Sequence, residues 1–204
     1  DINPSYKVAE RLTLYGKVGA RTIVPYTWSR FLITPSVAYD WPRLILKNYP
    51  YKEQLIAGLG IYFTDNLDET NGLEFRPFQG YSITAPNRRW IQIKHYFKIE
   101  ERFELQTEDW VNTFGLRLRY TGSVTFRFQG EYWQYGKGFY IPVSAEFFWN
   151  LIGTKQFNDK IRIVGGIGHE FASKWKAAFL FGYNLSKQDK ADDFNANDLL
   201  FRFR

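Results

Sequence analysis

Apolar and polar residues alternate with a period of two along most of this chain. Between Trp90 and Leu105 one parity reads Ile91, Ile93, His95, Phe97, Ile99, Phe103 and Leu105, broken by Glu101. The other reads Gln92, Lys94, Tyr96, Lys98, Glu100, Arg102 and Glu104. A period of two places the two sets on opposite faces of a β-strand. The same contrast predicts ten strands, over residues 6–19, 29–41, 54–64, 73–85, 89–105, 109–128, 138–151, 160–171, 174–186 and 197–204. Turn-forming residues separate them: Asp65 to Gly72, Ala85-Pro86-Asn87-Arg88, Gly136-Lys137-Gly138, Ala172-Ser173 and Lys187 to Ala196. The long segment 109–128 carries Thr121-Gly122-Ser123, which leaves two strands around a tight turn, and a total of twelve, as the alternative to ten.

The apolar parity is rich in aromatic rings, and the opposite parity is too heavily charged for an ordinary wet face. The pattern predicts an all-β fold turned inside out: a closed antiparallel up-and-down transmembrane β-barrel of about ten strands, with lipid outside and a polar lumen. Register is strongly specified. Turning Phe114–Tyr120 over would put Arg117 and Arg119 in hydrocarbon, at about 2–4 kcal/mol each. Glycines on the charged parity, Gly58, Gly60, Gly166 and Gly168, leave room for long neighbouring side chains. Glu101, His95 and His169 fall on the apolar parity. Glu101 is expected above the membrane interface or beside a bulge, and the histidines at headgroup level.

Composition fits that reading. The 204 residues make one domain, 1–204. A mean hydropathy of −0.39 and the lack of any run of about 18 apolar residues exclude a membrane helix but not a barrel, in which only alternate residues meet lipid. Aromatics are 20% of the chain, as aromatic girdles require. Cysteine is absent, which excludes disulfides, thiol catalysis and thiolate metal sites. Methionine is absent even at position 1, so a removed signal peptide is expected. The net charge of +6 is spread over many strands, without the clustering that nucleic acid requires; anionic headgroups or an acidic partner fit it better.

The candidate functional set is a lumen charge network: Arg11, Lys94, Lys98, Glu100, Arg102, Glu104, Arg117, Arg119, Glu146, Arg162, Glu170 and Arg202. The pairs expected are Glu100 or Glu104 with Arg117 or Arg119, and Glu146 with Arg162. Such pairs can plug a narrow lumen; an excess of inward Arg and Lys would instead suit a narrow anion-preferring conduit. The material for catalysis is thin, since neither His95 nor His169 shares a strand face with a suitable serine and acid. A non-enzymatic protein is expected. No cofactor and no metal site is expected either: two isolated histidines do not make one, and the acidic loop Asp65, Asp68, Glu69, Asn71 lacks the EF-hand pattern. Gly165-Gly166-Ile167-Gly168 lies inside a strand and is not a phosphate loop.

Several short motifs add a resemblance. They are Lys98-Ile99-Glu100-Glu101-Arg102-Phe103, Leu116-Arg117-Leu118-Arg119-Tyr120, Glu146-Phe147-Phe148-Trp149-Asn150, Phe157-Asn158-Asp159-Lys160-Ile161-Arg162, Gly165-Gly166-Ile167-Gly168, Gly182-Tyr183 and Asn197. In this order they resemble the uncharacterised outer-membrane barrel family catalogued as domain of unknown function 2490, over about residues 90–204. The resemblance implies a barrel in the outer membrane of Gram-negative bacteria such as Bacteroidota, and supplies no activity. Such barrels commonly end on an aromatic residue, so Phe203-Arg204 departs from the pattern. The resulting expectation is a structural or accessory barrel, with outer-membrane lipids and other outer-membrane proteins as partners. A narrow anion channel and a lipid-modifying enzyme are the alternatives.

Overall fold

Alternation folds as antiparallel strand throughout. The computed structural model describes residues 1–22, 28–49, 51–67, 70–87, 90–108, 112–128, 138–153, 159–171, 175–187 and 194–204. Thirteen strand segments form one antiparallel sheet: β1 (Ser5–Ala9), β2 (Leu12–Tyr15), β3 (Val18–Thr22), β4 (Trp28–Ile33), β5 (Ser36–Asp40), β6 (Lys52–Asn66), β7 (Gly72–Asn87), β8 (Ile91–Gln106), β9 (Asn112–Arg127), β10 (Gly138–Ile152), β11 (Asp159–Glu170), β12 (Lys176–Lys187) and β13 (Asn195–Phe203). From β5 onward, each strand pairs with the next in sequence, an up-and-down order.

The strand count departs from the expected ten, and also from twelve, for two local reasons. Two long lines are interrupted. β2 and β3 are separated by Gly16-Lys17, β4 and β5 by Thr34-Pro35, and the two lines keep one register across the gap: Leu14 opposes Val37 and Val18 opposes Ile33. Lys17 and Thr34 exchange backbone hydrogen bonds at 3.1 and 2.7 Å inside it. Pro35 has no N–H to continue the pairing. In addition, the residues read as the start of the first strand turn back at Glu10-Arg11, so β1 pairs beside β2 as a separate strand. The segment 109–128 holds a single strand, β9, paired across Thr121-Gly122-Ser123 with both β8 and β10. Residues Ala85 to Asn87, read as a connector, extend β7 through a register shift.

The hydrogen-bonded ladder is not closed: among the described residues no backbone ladder joins β13 to the first strands. The two ends of the sheet nevertheless touch at Asp1. Its nitrogen donates to the Phe203 carbonyl at 2.8 Å, and its carboxylate lies 3.4 Å from both Lys17 Nζ and Arg202 Nε.

Burial is inverted relative to an ordinary globule. Along β12, Phe179 and Phe181 are about half exposed (52% and 47%) while Leu180 between them is 7% exposed. Glu100 is fully buried, and Glu74, Arg76, Lys98 and Arg102 are buried too. Among the described residues the buried apolar side chains include Leu32, Phe78 and Phe148, and a cluster of Val164, Ala178 and Leu180 packs with Tyr140 and Leu200.

The glycines read as space for charged side chains hold rings as well. A Cβ on Gly168 would lie 2.2 Å from Tyr140 Cζ, and one on Gly60 would lie 2.6 Å from Tyr62 Cε2. At Gly58 the restriction is tightest. A Cβ there would stand 2.5 Å from Phe78 Cζ, 2.6 Å from the Pro35 carbonyl oxygen and 2.6 Å from Ser36 Cβ. The carbonyl belongs to the strand break and has little freedom to retreat. Gly58→Ala is therefore expected to destabilise the fold by about 1–3 kcal/mol through overpacking. Denaturant unfolding measures this; unchanged stability would mean that the ring and the carbonyl do not press on this glycine.

On the apolar face, the segment after β5 folds back along the sheet. The Ile45 and Leu46 amides donate to the buried Glu53 carboxylate at 2.8 and 3.2 Å, and the Tyr81 hydroxyl donates to it as well. Arg43 takes a left-handed conformation (φ 61°) in the turn that makes this return possible.

Candidate charge network on the buried face

The charged face is built from β6 to β11 and closed off by Asp1 and Arg202. Strand pairing decides which charges meet. Glu100 on β8 opposes Arg117 on β9, and Glu146 on β10 opposes Arg162 on β11. Arg119, on the strand between β8 and β10, reaches both carboxylates.

Three carboxylates act as hubs. Glu100 receives Lys98 Nζ at 2.8 Å and Arg117 Nε at 2.7 Å, with Arg119 at 3.8 Å. Glu146 receives Arg119 at 2.7 Å and Arg162 at 3.1 Å. Glu74 receives Arg76 through a two-toothed contact at 3.0 and 2.7 Å, and Arg102 at 2.5 Å. Arg162 also donates to Asn184 Oδ1 at 2.8 Å. Planar guanidinium forks favour this kind of sharing, since one fork can serve two acceptors.

Aromatic rings lie among these charges. The Phe148 ring has Arg117, Arg119 and Arg162 around it, with Cζ 5.1, 4.9 and 5.3 Å from its centroid. Lys98 Nζ lies 3.7 Å above Phe78, and Arg76 lies 4.1 Å above Tyr62. A ring face attracts a cation and separates like charges, so three arginines can stand close together.

The structure joins most of the sequence-derived set and leaves five residues aside. Lys98, Glu100, Arg102, Arg117, Arg119, Glu146 and Arg162 belong to the three hubs, and both expected pairings form: Glu100 with Arg117 and Arg119, and Glu146 with Arg162. Arg202 pairs with Asp1 instead. Arg11 is exposed in the β1–β2 turn, outside the network, because the chain reverses there. Glu170 pairs with Lys176 at 2.9 Å at the end of the β11–β12 hairpin, half open to solvent. Glu104 stands opposite Glu74 in the ladder, with no cation within 4.0 Å among the described residues. Lys94 lies 5.7 Å over the Tyr96 ring and makes no ion pair among the described residues.

Beyond the twelve candidates, Glu74, Arg76, Asp1 and Lys17 enter the ion pairs, and Phe148 and Phe78 lie among them. Parity could have found the rings: Phe148 shares a face with Glu146 and Asn150, and Phe78 with Glu74 and Arg76.

The two histidines stay on the apolar face. His95 Nδ1 is 2.7 Å from the Tyr120 hydroxyl, and His169 sits between Phe139 and Phe171 with ring centroids 4.8 and 4.6 Å away. Glu101 also lies on that face, opposite Leu116, and no register shift occurs at it. Of the acidic loop, Asp68 and Glu69 lie outside the described residues. Among the described residues no three His, Asp or Glu side chains gather to hold a metal.

Comparison with curated proteins and with solved structures finds no match. The profile of one family, described as "Protein of unknown function (DUF2490)", matches residues 2–195. A chain whose buried face is ionic and whose exposed face is aromatic thus belongs, over nearly its whole length, to the DUF2490 family.

Proposed function

We propose that the sheet closes into a barrel in the outer membrane of a Gram-negative bacterium, with the aromatic face in lipid and the ionic face filling the interior. On this reading the protein is a non-enzymatic structural or accessory component, and a subunit of a larger outer-membrane assembly. The observation that carries it is the inverted burial: Glu100, Glu74 and Arg76 are shielded from solvent while Phe181, Ile99 and Phe201 are exposed. In water that arrangement wastes apolar surface, whereas in hydrocarbon it removes charge from the outer solvent. The contact of Asp1 with β13 supports closure.

Filling by side chains favours a plug. A narrow anion-preferring conduit is the second reading, because eight cations share only four carboxylates: Asp1, Glu74, Glu100 and Glu146. Two measurements test both. Purification from native membranes should require detergent and bring partner proteins with the chain. In planar bilayers the purified protein should show no stepwise conductance; steady anion-selective steps would replace the plug by the conduit. A monomer that remains in solution without detergent would overturn the membrane reading altogether.

A further inference from the structure

Two cations of the buried face pair with no carboxylate among the described residues. Arg21 on β3 and Arg30 on β4 stand directly opposite one another in the ladder. Like charges in that position repel. Among the described residues, no Asp or Glu oxygen lies within 4.0 Å of either guanidinium. Arg30 Nε donates to the Thr64 hydroxyl at 2.7 Å, and its Cζ lies 5.5 Å over the Trp28 ring. Arg21 Nε is shielded from solvent and has no hydrogen-bond partner among the described residues. Of the neighbouring carboxylates, Asp1 is held by Lys17 and Arg202, and Glu74 by Arg76 and Arg102, while Glu104 acts on Arg30 only from beyond ion-pair distance.

A sheltered cation pair with an unused donor lacks its counter-charge. Two guanidinium forks at directly opposed positions on adjacent strands carry several N–H donors, a donor set that suits a multi-oxygen anion better than a halide. Thr64 adds a hydroxyl beside them and Trp28 an apolar wall.

We propose that Arg21 and Arg30 bind a tetrahedral oxyanion of the phosphate class between β3 and β4. The site depends on the charged face alone, and stands whether or not the opposite face meets lipid.

The test uses inorganic phosphate as the probe, titrated calorimetrically into the full chain in acetate buffer at fixed ionic strength. Wild type should bind saturably, with sodium chloride at matched ionic strength unable to substitute. Arg21→Gln and Arg30→Gln should each weaken binding by about tenfold or more, as loss of a charge-assisted fork does, and the double variant should abolish it. Denaturant unfolding gives a second readout. Without phosphate, Arg21→Gln should be at least as stable as wild type, because it removes a repulsion; phosphate should stabilise wild type more than this variant, and the double variant not at all. Phosphatidic acid in mixed micelles, run beside inorganic phosphate, separates lipid-borne from free phosphate, and a response to either carries the site. No saturable response to either probe, or binding unchanged in the double variant, overturns it. The membrane reading is tested separately, by detergent requirement and conductance.

Discussion

Glu100→Gln lowers the stability of the folded chain by about 3–5 kcal/mol, the range for removing one member of a buried ion pair. The side chain is completely buried, and Lys98 and Arg117, each about nine-tenths shielded, share it with Arg119. Glutamine keeps the shape and supplies one carbonyl oxygen, but leaves these cations with no carboxylate of their own except the contact of Arg119 with Glu146. Chemical denaturation of the refolded protein measures the loss. Adding Arg117→Met should recover part of it, since the second change removes one orphaned charge, and the double-mutant cycle gives the coupling. Stability equal to wild type would mean that water already solvates these groups, which would favour the conduit over the plug.

Ile163→Arg separates the two possible surroundings of the opposite face. Ile163 is 50% exposed, near the middle of β11, next to Arg162 but pointing away from it. In water, a surface substitution of this kind changes stability by no more than about 0.5 kcal/mol. Facing hydrocarbon near mid-membrane, it costs about 2–4 kcal/mol. Folding into phospholipid vesicles, followed by denaturant titration, distinguishes these outcomes. A neutral effect would remove lipid from that face.

Facial assignment was legible because alternation is a local property. Ile99 and Glu100 declare opposite sides from their neighbours alone, and the pairing of consecutive strands then puts Glu100 beside Arg117 and Glu146 beside Arg162. Partners that depend on finer register were not legible. Arg102 joins Glu74 while Glu104, directly opposite Glu74, takes no cation, and a shift of two residues would exchange those roles. Aromatic residues on the ionic side were hidden by the assumption that rings face out: Phe148 and Phe78 lie among guanidinium and ammonium groups. The reversal at Glu10-Arg11, which takes Arg11 out of the network, lacks the glycine or proline that marks most turns. Arg21 and Arg30 meet only through the β3–β4 register, and no local alternation marks a like-charged pair across two strands.

Strand length has a consequence for how the molecule would sit in a bilayer. β6 to β10 run 15 or 16 residues, whereas β13 has nine. A tilted strand needs about 9–11 residues to cross the hydrocarbon. In that setting the outward carboxylate of Glu101 on β8 would mark the waterline, with Ile91 to Glu100 below it as one crossing. The rest of β8 would rise above that line, bringing the Phe103–Phe114 ring pair (centroids 5.1 Å apart) to headgroup depth. A sheet of this kind, closed in a bilayer, would stand as a tall palisade along the β6–β10 flank.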